Sequence, residues 1–153
     1  MKLELVRDWM SQEVVTVGPD MLLPEANRLM MEKHIRRLPV VSNGRLLGIL
    51  TYGDVRGAGP SSASDLDMAE VSFLMAQIKV GQVMSRKLIT ICEDATIGEA
   101  AELMLQYAIG GLPVLGPDDT LVGIITESDI FRLVVHDWRR AQDDSPTPYT
   151  HYG

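Results

Sequence analysis

Residues 6–40 of this chain recur at residues 80–114 with a constant displacement of 74 positions, and a chain that repeats itself over such a length folds as two copies of one unit. Met10-Ser11 matches Met84-Ser85, Thr16 matches Thr90, Asp20 matches Asp94, Glu25-Ala26 matches Glu99-Ala100, and Leu29-Met30 matches Leu103-Met104. Ile35 then matches Ile109, and Leu38-Pro39-Val40 matches Leu112-Pro113-Val114. One extra residue in Gly116-Pro117-Asp118-Asp119, against Ser42-Asn43-Gly44, moves the displacement to 75. Beyond it Gly48-Ile49 matches Gly123-Ile124, Thr51 matches Thr126 and Asp54 matches Asp129. A unit of about sixty residues buries little core alone, so the two copies are expected to share an interface.

Each copy alternates strand and helix signals. Val14-Val15-Thr16-Val17 and Leu88-Ile89-Thr90-Ile91 are short β-branched runs that predict strands, the first closed by Gly18-Pro19. A helix follows each. Thr96 and Glu99 have capping-box spacing, and Ile97, Ala100, Ala101, Met104 and Ala108 recur at helical period. In the first copy Pro24 suits a first helical turn, and Leu22, Ala26, Leu29 and Met30 form the matching face. Residues 38–41, a turn at Ser42-Asn43-Gly44 and residues 46–50 read as a hairpin, repeated by residues 112–115 and 121–125. A further helix is predicted from near Asp54 and from near Asp129, the second reaching about Trp138.

The fold class is therefore α/β (α+β), a tandem of β-α-β-β-α repeats. The boundaries read as a first repeat at 1–60, a linker at 61–78, a second repeat at 79–140 and a flexible tail at 141–153. The linker follows Gly57, Gly59 and Pro60 and opens on serine-rich residues 61–64. Asp65 is placed to cap a linker helix with Val71, Leu74, Met75 and Ile78 on one face.

Several function classes are excluded by composition and motif. Fourteen basic residues against 21 acidic ones give a net charge of -7, the wrong sign for a nucleic-acid footprint, so no nucleic-acid partner is expected. Cys92 is the single cysteine and forms no internal disulfide; charges interrupt every 18-residue apolar window, and the first residues lack a signal-peptide core. A cytoplasmic protein with no membrane partner is the expectation. The chain has no P-loop, no G-x-S-x-G elbow and no His-rich metal motif, and neither His34 nor His136 has a second ligand at metal-binding spacing. No catalytic residue, no metal and no enzyme activity are expected. The nine methionines read as adaptable core filler.

The polar residues that stand out are Thr51 and Asp54, with Thr126 and Asp129, each pair at a strand-to-helix junction. A helix N-terminus presents unpaired N–H groups and favours phosphate, and an Asp there can accept from both ribose hydroxyls. The same T-x-x-D spacing is also a capping box, in which both residues serve only the helix. Arg36 and Arg37 offer guanidinium forks suited to phosphate, or are solvated charges on an acidic surface.

Val6-x-x-x-Met10-Ser11, Val15-Thr16-Val17, Leu38-Pro39-Val40-Val41 and Gly48-Ile49-Leu50-Thr51-x-x-Asp54, each found twice in this order, resemble the CBS-domain family over roughly residues 3–138. The resemblance implies two repeats about a pseudo-twofold axis, two clefts between them and modules that pair into homodimers. It also implies a regulatory role, with an adenosyl ligand such as AMP, ADP, ATP or S-adenosylmethionine and no required cofactor. By that resemblance Asp54 grips ribose, Thr51 and the arginines Arg36 and Arg37 meet phosphate, and Thr16 and Val17 hold adenine. The second copy supplies Ile89, Thr90, Thr126, Ser128 and Asp129. For Val17 and Ile89, core packing is the competing reading. Gly110-Gly111 replace the arginines in the second copy, so unequal clefts are expected, a polyphosphate filling the arginine-bearing one first. The resulting function is a ligand-sensing regulatory module that modulates a partner protein; the alternative is a ligand-free dimerisation or interaction scaffold.

Overall fold

The structure, a computed structural model, describes residues 3–59 and 67–143. The elements run α1 (Val6–Trp9), α2 (Leu23–Lys33), β1 (Arg37–Ser42), β2 (Arg45–Thr51), α3 (Tyr52–Gly57), α4 (Met68–Met75) and α5 (Val80–Val83). They continue with β3 (Ile91–Cys92), α6 (Ile97–Tyr107), β4 (Gly111–Leu115), β5 (Leu121–Thr126) and α7 (Glu127–Asp143). The mixed helix and strand content is that expected from the repeats. Asn43 and Gly44 turn the first hairpin with φ of 53° and 77°, the doubly left-handed turn that matches strand twist. Asp118 and Asp119, at φ 60° and 57°, serve the longer second turn.

The predicted strands ahead of each helix are nearly absent. Residues 14–17 contribute one parallel bridge, Val17 to Val40, and of residues 88–91 only Ile91 enters β3, paired with Val114. Proline explains it. Val17 N–H donates to Pro39 O (3.1 Å) and Val41 N–H to Val17 O (2.9 Å); the next parallel step would need an N–H from Pro39, which has none. Pro113 ends the equivalent ladder in the second copy.

The helices follow their sequence signals closely. In α6 the Glu99 N–H donates to Thr96 Oγ1 (3.1 Å) and the Thr96 N–H to Glu99 Oε2 (3.3 Å), while Ile97, Ala100 and Met104 are buried. Ala108 is instead the left-handed C-cap and is exposed. In α2 the buried face is Leu23, Ala26 and Met30; Leu22 stands outside as the N-cap. Asp67 caps α4 in a capping box with Glu70, whereas Asp65 and linker residues 61–64 lie outside the described residues, as does the tail after Asp143. Met75 and Ile78 pack on the core and Leu74 is exposed. Helix α7 continues past Trp138 to Asp143.

There are two cores, and they do not coincide with the two sequence repeats. The first holds Val17, Leu23, Leu38, Val40 and Leu50 together with Val80 of α5 and Met84 just after it; the second holds Ile97, Leu112, Val114 and Ile125 together with Val6 of α1. Each lead-in segment thus completes the other copy's core. Backbone bonds fix the exchange in matched pairs: Val6 N–H to Ala95 O and Val80 N–H to Met21 O (both 2.8 Å), Ile97 N–H to Glu4 O (2.9 Å) and Leu23 N–H to Ile78 O (2.7 Å). Trp9 stacks edge-on against His136 of α7 at 5.4 Å, its ring N–H donates to Glu4 Oε2, and Arg7 pairs with Asp94. Glycine permits the closest approaches. Ser85 and Ile49 exchange two backbone bonds (3.0 and 2.8 Å), and a Cβ on adjacent Gly48 would stand 2.6 Å from Ser85 O; on Gly123 it would stand 2.8 Å from Ser11 O.

Candidate functional site

The polar residues singled out above are held where strands end and helices begin. Thr51 and Asp54 form a full capping box on α3: the Asp54 N–H donates to Thr51 Oγ1 (3.1 Å) and the Thr51 N–H to Asp54 Oδ2 (2.8 Å). At the matching junction the Thr126 N–H and hydroxyl both donate to Asp129 Oδ2 (2.8 and 3.2 Å). Asp129 is buried, at 7% exposure, and its other oxygen takes Arg132 Nη1 at 2.6 Å. The full capping box is therefore present at the first junction and its Asp half at the second, where both carboxylate oxygens of Asp129 already have partners.

A cleft of about 580 Å³ opens between the repeats, a volume suited to a nucleoside-sized ligand. Its walls combine Val14, Val15, Arg36 and Arg37 from the first copy with Thr126 and Ser128 from the second. The sequence expectation assigned the arginines to the first copy without naming what they face; the structure sets them against the second repeat's strand-helix junction. The cause lies at the pseudo-twofold. The starts of β1 and β4 approach each other through Arg37, while within each copy Arg36 O accepts the Tyr52 N–H (2.9 Å) and Gly110 O the Glu127 N–H (3.1 Å). Arg37 crosses from one copy onto the other: a Cβ on Gly110 would lie 2.5 Å from Arg37 Nη2, and one on Gly111 3.3 Å from Arg37 Cδ. Gly110 and Gly111 leave the space that Arg37 fills.

The remaining sequence candidates divide. Val17 is 4% exposed and belongs to the first core, so its side chain is packing and the apolar wall is made by Val14 and Val15 instead. Ile89 packs against the second core, Thr90 is half-buried and Thr16 is exposed; none of these three, nor Thr51, Asp54 or Asp129, lines this cleft. Glu13, His34 and Glu127 do line it. Sequence reasoning missed them as site residues, although Glu127 lies inside Thr126-Glu127-Ser128-Asp129 between two candidates. The two acids match the two arginines in number, which removes the positive excess expected of this cleft. Among the described residues, no cluster of three or more His, Cys, Asp or Glu side chains could hold a metal ion.

Comparison with known proteins follows the repeat. A model of the CBS domain matches residues 6–61 and again 80–136. A CBS domain-containing protein of Dictyostelium discoideum is 35% identical over 132 residues, 86% of this chain and 91% of that protein. Protein MJ1225 of Methanocaldococcus jannaschii is 32% identical over 130 residues, 84% of this chain, which spans 46% of the length of that relative. Among solved structures, the CBS domain pair of protein MJ0100 in complex with 5′-methylthioadenosine and S-adenosyl-L-methionine is similar with a TM-score of 0.72 and 28% identity, covering 89% of this chain and 99% of that one. CBSX2 of Arabidopsis thaliana in complex with AMP is similar with a TM-score of 0.73 and 26% identity, at 89% and 99% coverage.

Proposed function

From the premise that this chain belongs to the CBS domain family, we propose that it is a regulatory module that binds an adenosyl ligand between its repeats and transmits that occupancy to a partner protein. The observation that carries the reading is the composite cleft, where Arg36 and Arg37 of one copy face Thr126 and Ser128 of the other. A ligand held from both sides binds the closed packing of the repeats better than any other packing. Its free energy therefore shifts that equilibrium, which is how a module without chemistry of its own regulates. Structurally similar CBS pairs hold AMP in one case and 5′-methylthioadenosine with S-adenosyl-L-methionine in another, which supports the ligand class. In this cleft Val14 and Val15 offer an apolar wall to the base, and the arginines with the Thr126 and Ser128 hydroxyls offer donors to phosphate or carboxylate. Asp54 and Asp129 sit at matched junctions of two copies, an arrangement that serves two helices rather than one reaction centre.

The module pairs with a second copy in this reading: Phe73 on α4 and Phe131, Val134 and Trp138 on α7 are all more than half exposed, an apolar area suited to burial between protomers. It works in the cytoplasm; among the described residues no helix is long and apolar enough to cross a membrane. The test is a thermal-shift panel of AMP, ADP, ATP and S-adenosylmethionine. A ligand at 100 times its Kd adds about 2.7 kcal/mol of stability. A protein that none of the four stabilises is the ligand-free scaffold instead, and light scattering that reports a monomer at concentrations far above micromolar overturns the pairing.

A further inference from the structure

The four charged residues around the cleft come as two arginines and two acids: Arg36 and Arg37 against Glu13 and Glu127, a formal balance of zero. The acids are peculiar to this cleft. At the equivalent positions of the other copy stand Lys87 for Glu13 and Tyr52 for Glu127, so the repeat does not impose them. Glu127 and Arg37 converge on one spot. A Cβ on Gly110 would lie 2.5 Å from Arg37 Nη2 and 3.1 Å from Glu127 Oε1, which puts carboxylate and guanidinium within the roughly 4–6 Å over which charges couple strongly. Any phosphate that reaches Arg37 here also meets Glu127. That residue is moreover the first of α7, a 17-residue helix, so its carboxylate offsets the positive helix end that would otherwise attract an anion.

We propose that Glu13 and Glu127 are specificity-determining residues that make the cleft select adenosyl ligands of low charge, a nucleoside monophosphate over the triphosphate. The inference rests on the reading of this cleft as the adenosyl site and says which member of that class it takes. Arg36 and Arg37 satisfy one compact anionic group. Each further phosphate brings added negative charge toward the two carboxylates without a further arginine or lysine among the lining residues to receive it.

The test is calorimetric titration of AMP and of ATP, without divalent cations, into the wild-type protein and into the Glu13→Gln/Glu127→Gln variant. Both acids are exposed, so the double variant keeps the fold, checked by circular dichroism. Wild type binds AMP more tightly than ATP, and in the variant the ratio of the ATP Kd to the AMP Kd falls by about tenfold or more, the size of one ordinary like-charge contact removed. Glu127→Gln alone moves the ratio in the same direction. A wild-type protein that prefers ATP, or a folded double variant with an unchanged ratio, overturns the selection by these acids while leaving the adenosyl cleft in place. A wild-type protein that binds neither nucleotide overturns the cleft reading itself, and this inference with it.

Discussion

Replacing Gly48 by alanine tests the interlocking of the two copies at its tightest point. The added Cβ would stand 2.6 Å from Ser85 O, 2.9 Å from Met84 Sδ and 3.2 Å from Met84 Cγ. Met84 can turn only at the expense of the first core, in which it is 8% exposed, and Ser85 O is backbone held by the Ile49 N–H at 3.0 Å. The bridge must therefore open. Two backbone hydrogen bonds at about 0.5–1.5 kcal/mol each, with about 1–3 kcal/mol for overpacking, bracket the loss at about 2–6 kcal/mol. For a chain of this size that lowers Tm by about 4–24 °C. Urea denaturation followed by circular dichroism reads the change, with Gly57→Ala as the control, since a Cβ there meets nothing within 4 Å. Gly57→Ala is expected to be neutral or to stabilise by about 0.4–1 kcal/mol through the unfolded chain. If Gly48→Ala unfolds at the wild-type midpoint, the close approach of the lead-in segment is not what requires glycine there.

Val6→Ala, which empties a fully buried site, is expected to cost about 2 kcal/mol and to lower hydrogen-exchange protection first at Leu112 and Ile125 of the opposite copy; a loss confined to Leu38 and Leu50 refutes the exchanged lead-in. Asp129→Ala is expected to destabilise by about 1.5–3 kcal/mol, because it strips charge-assisted partners from the Thr126 N–H and Arg132; Asp129→Asn restores part of this, and equal losses in the two variants in denaturant titration count against the bond to Thr126.

What the sequence made legible was whatever depended on neighbours along the chain. Thr96 and Glu99 announce a capping box because both partners lie within one turn, and Asn43-Gly44 announces its hairpin because only certain residues take two positive φ values in succession. The run Val14 to Val17 misled because its β propensity is real but its partner strand carries Pro39 at the position that would have to donate. The composite cleft was not legible for a different reason. A constant displacement of 74 says that Arg36 is equivalent to Gly110, and Val6 to Val80, but it does not say whether a residue touches its own copy or the other one. Both arrangements produce the same repeat. Glu127 was in view beside Thr126, yet its place opposite Arg37 exists only once the two copies have been folded onto each other.

The exchanged lead-ins also define what kind of object half of this chain would be. A single unit carrying its own lead-in has a core with one wall missing and a segment that fits the same gap in an identical unit. Two such units close on each other with twofold symmetry, since what one lends it also borrows in the same register. Joining them in tandem turns that encounter into an intramolecular one, at an effective concentration set by the connecting residues. A protease cut within residues 60–66 therefore produces not two domains but one particle of two chains, clasped by Val6 on one side and Val80 on the other.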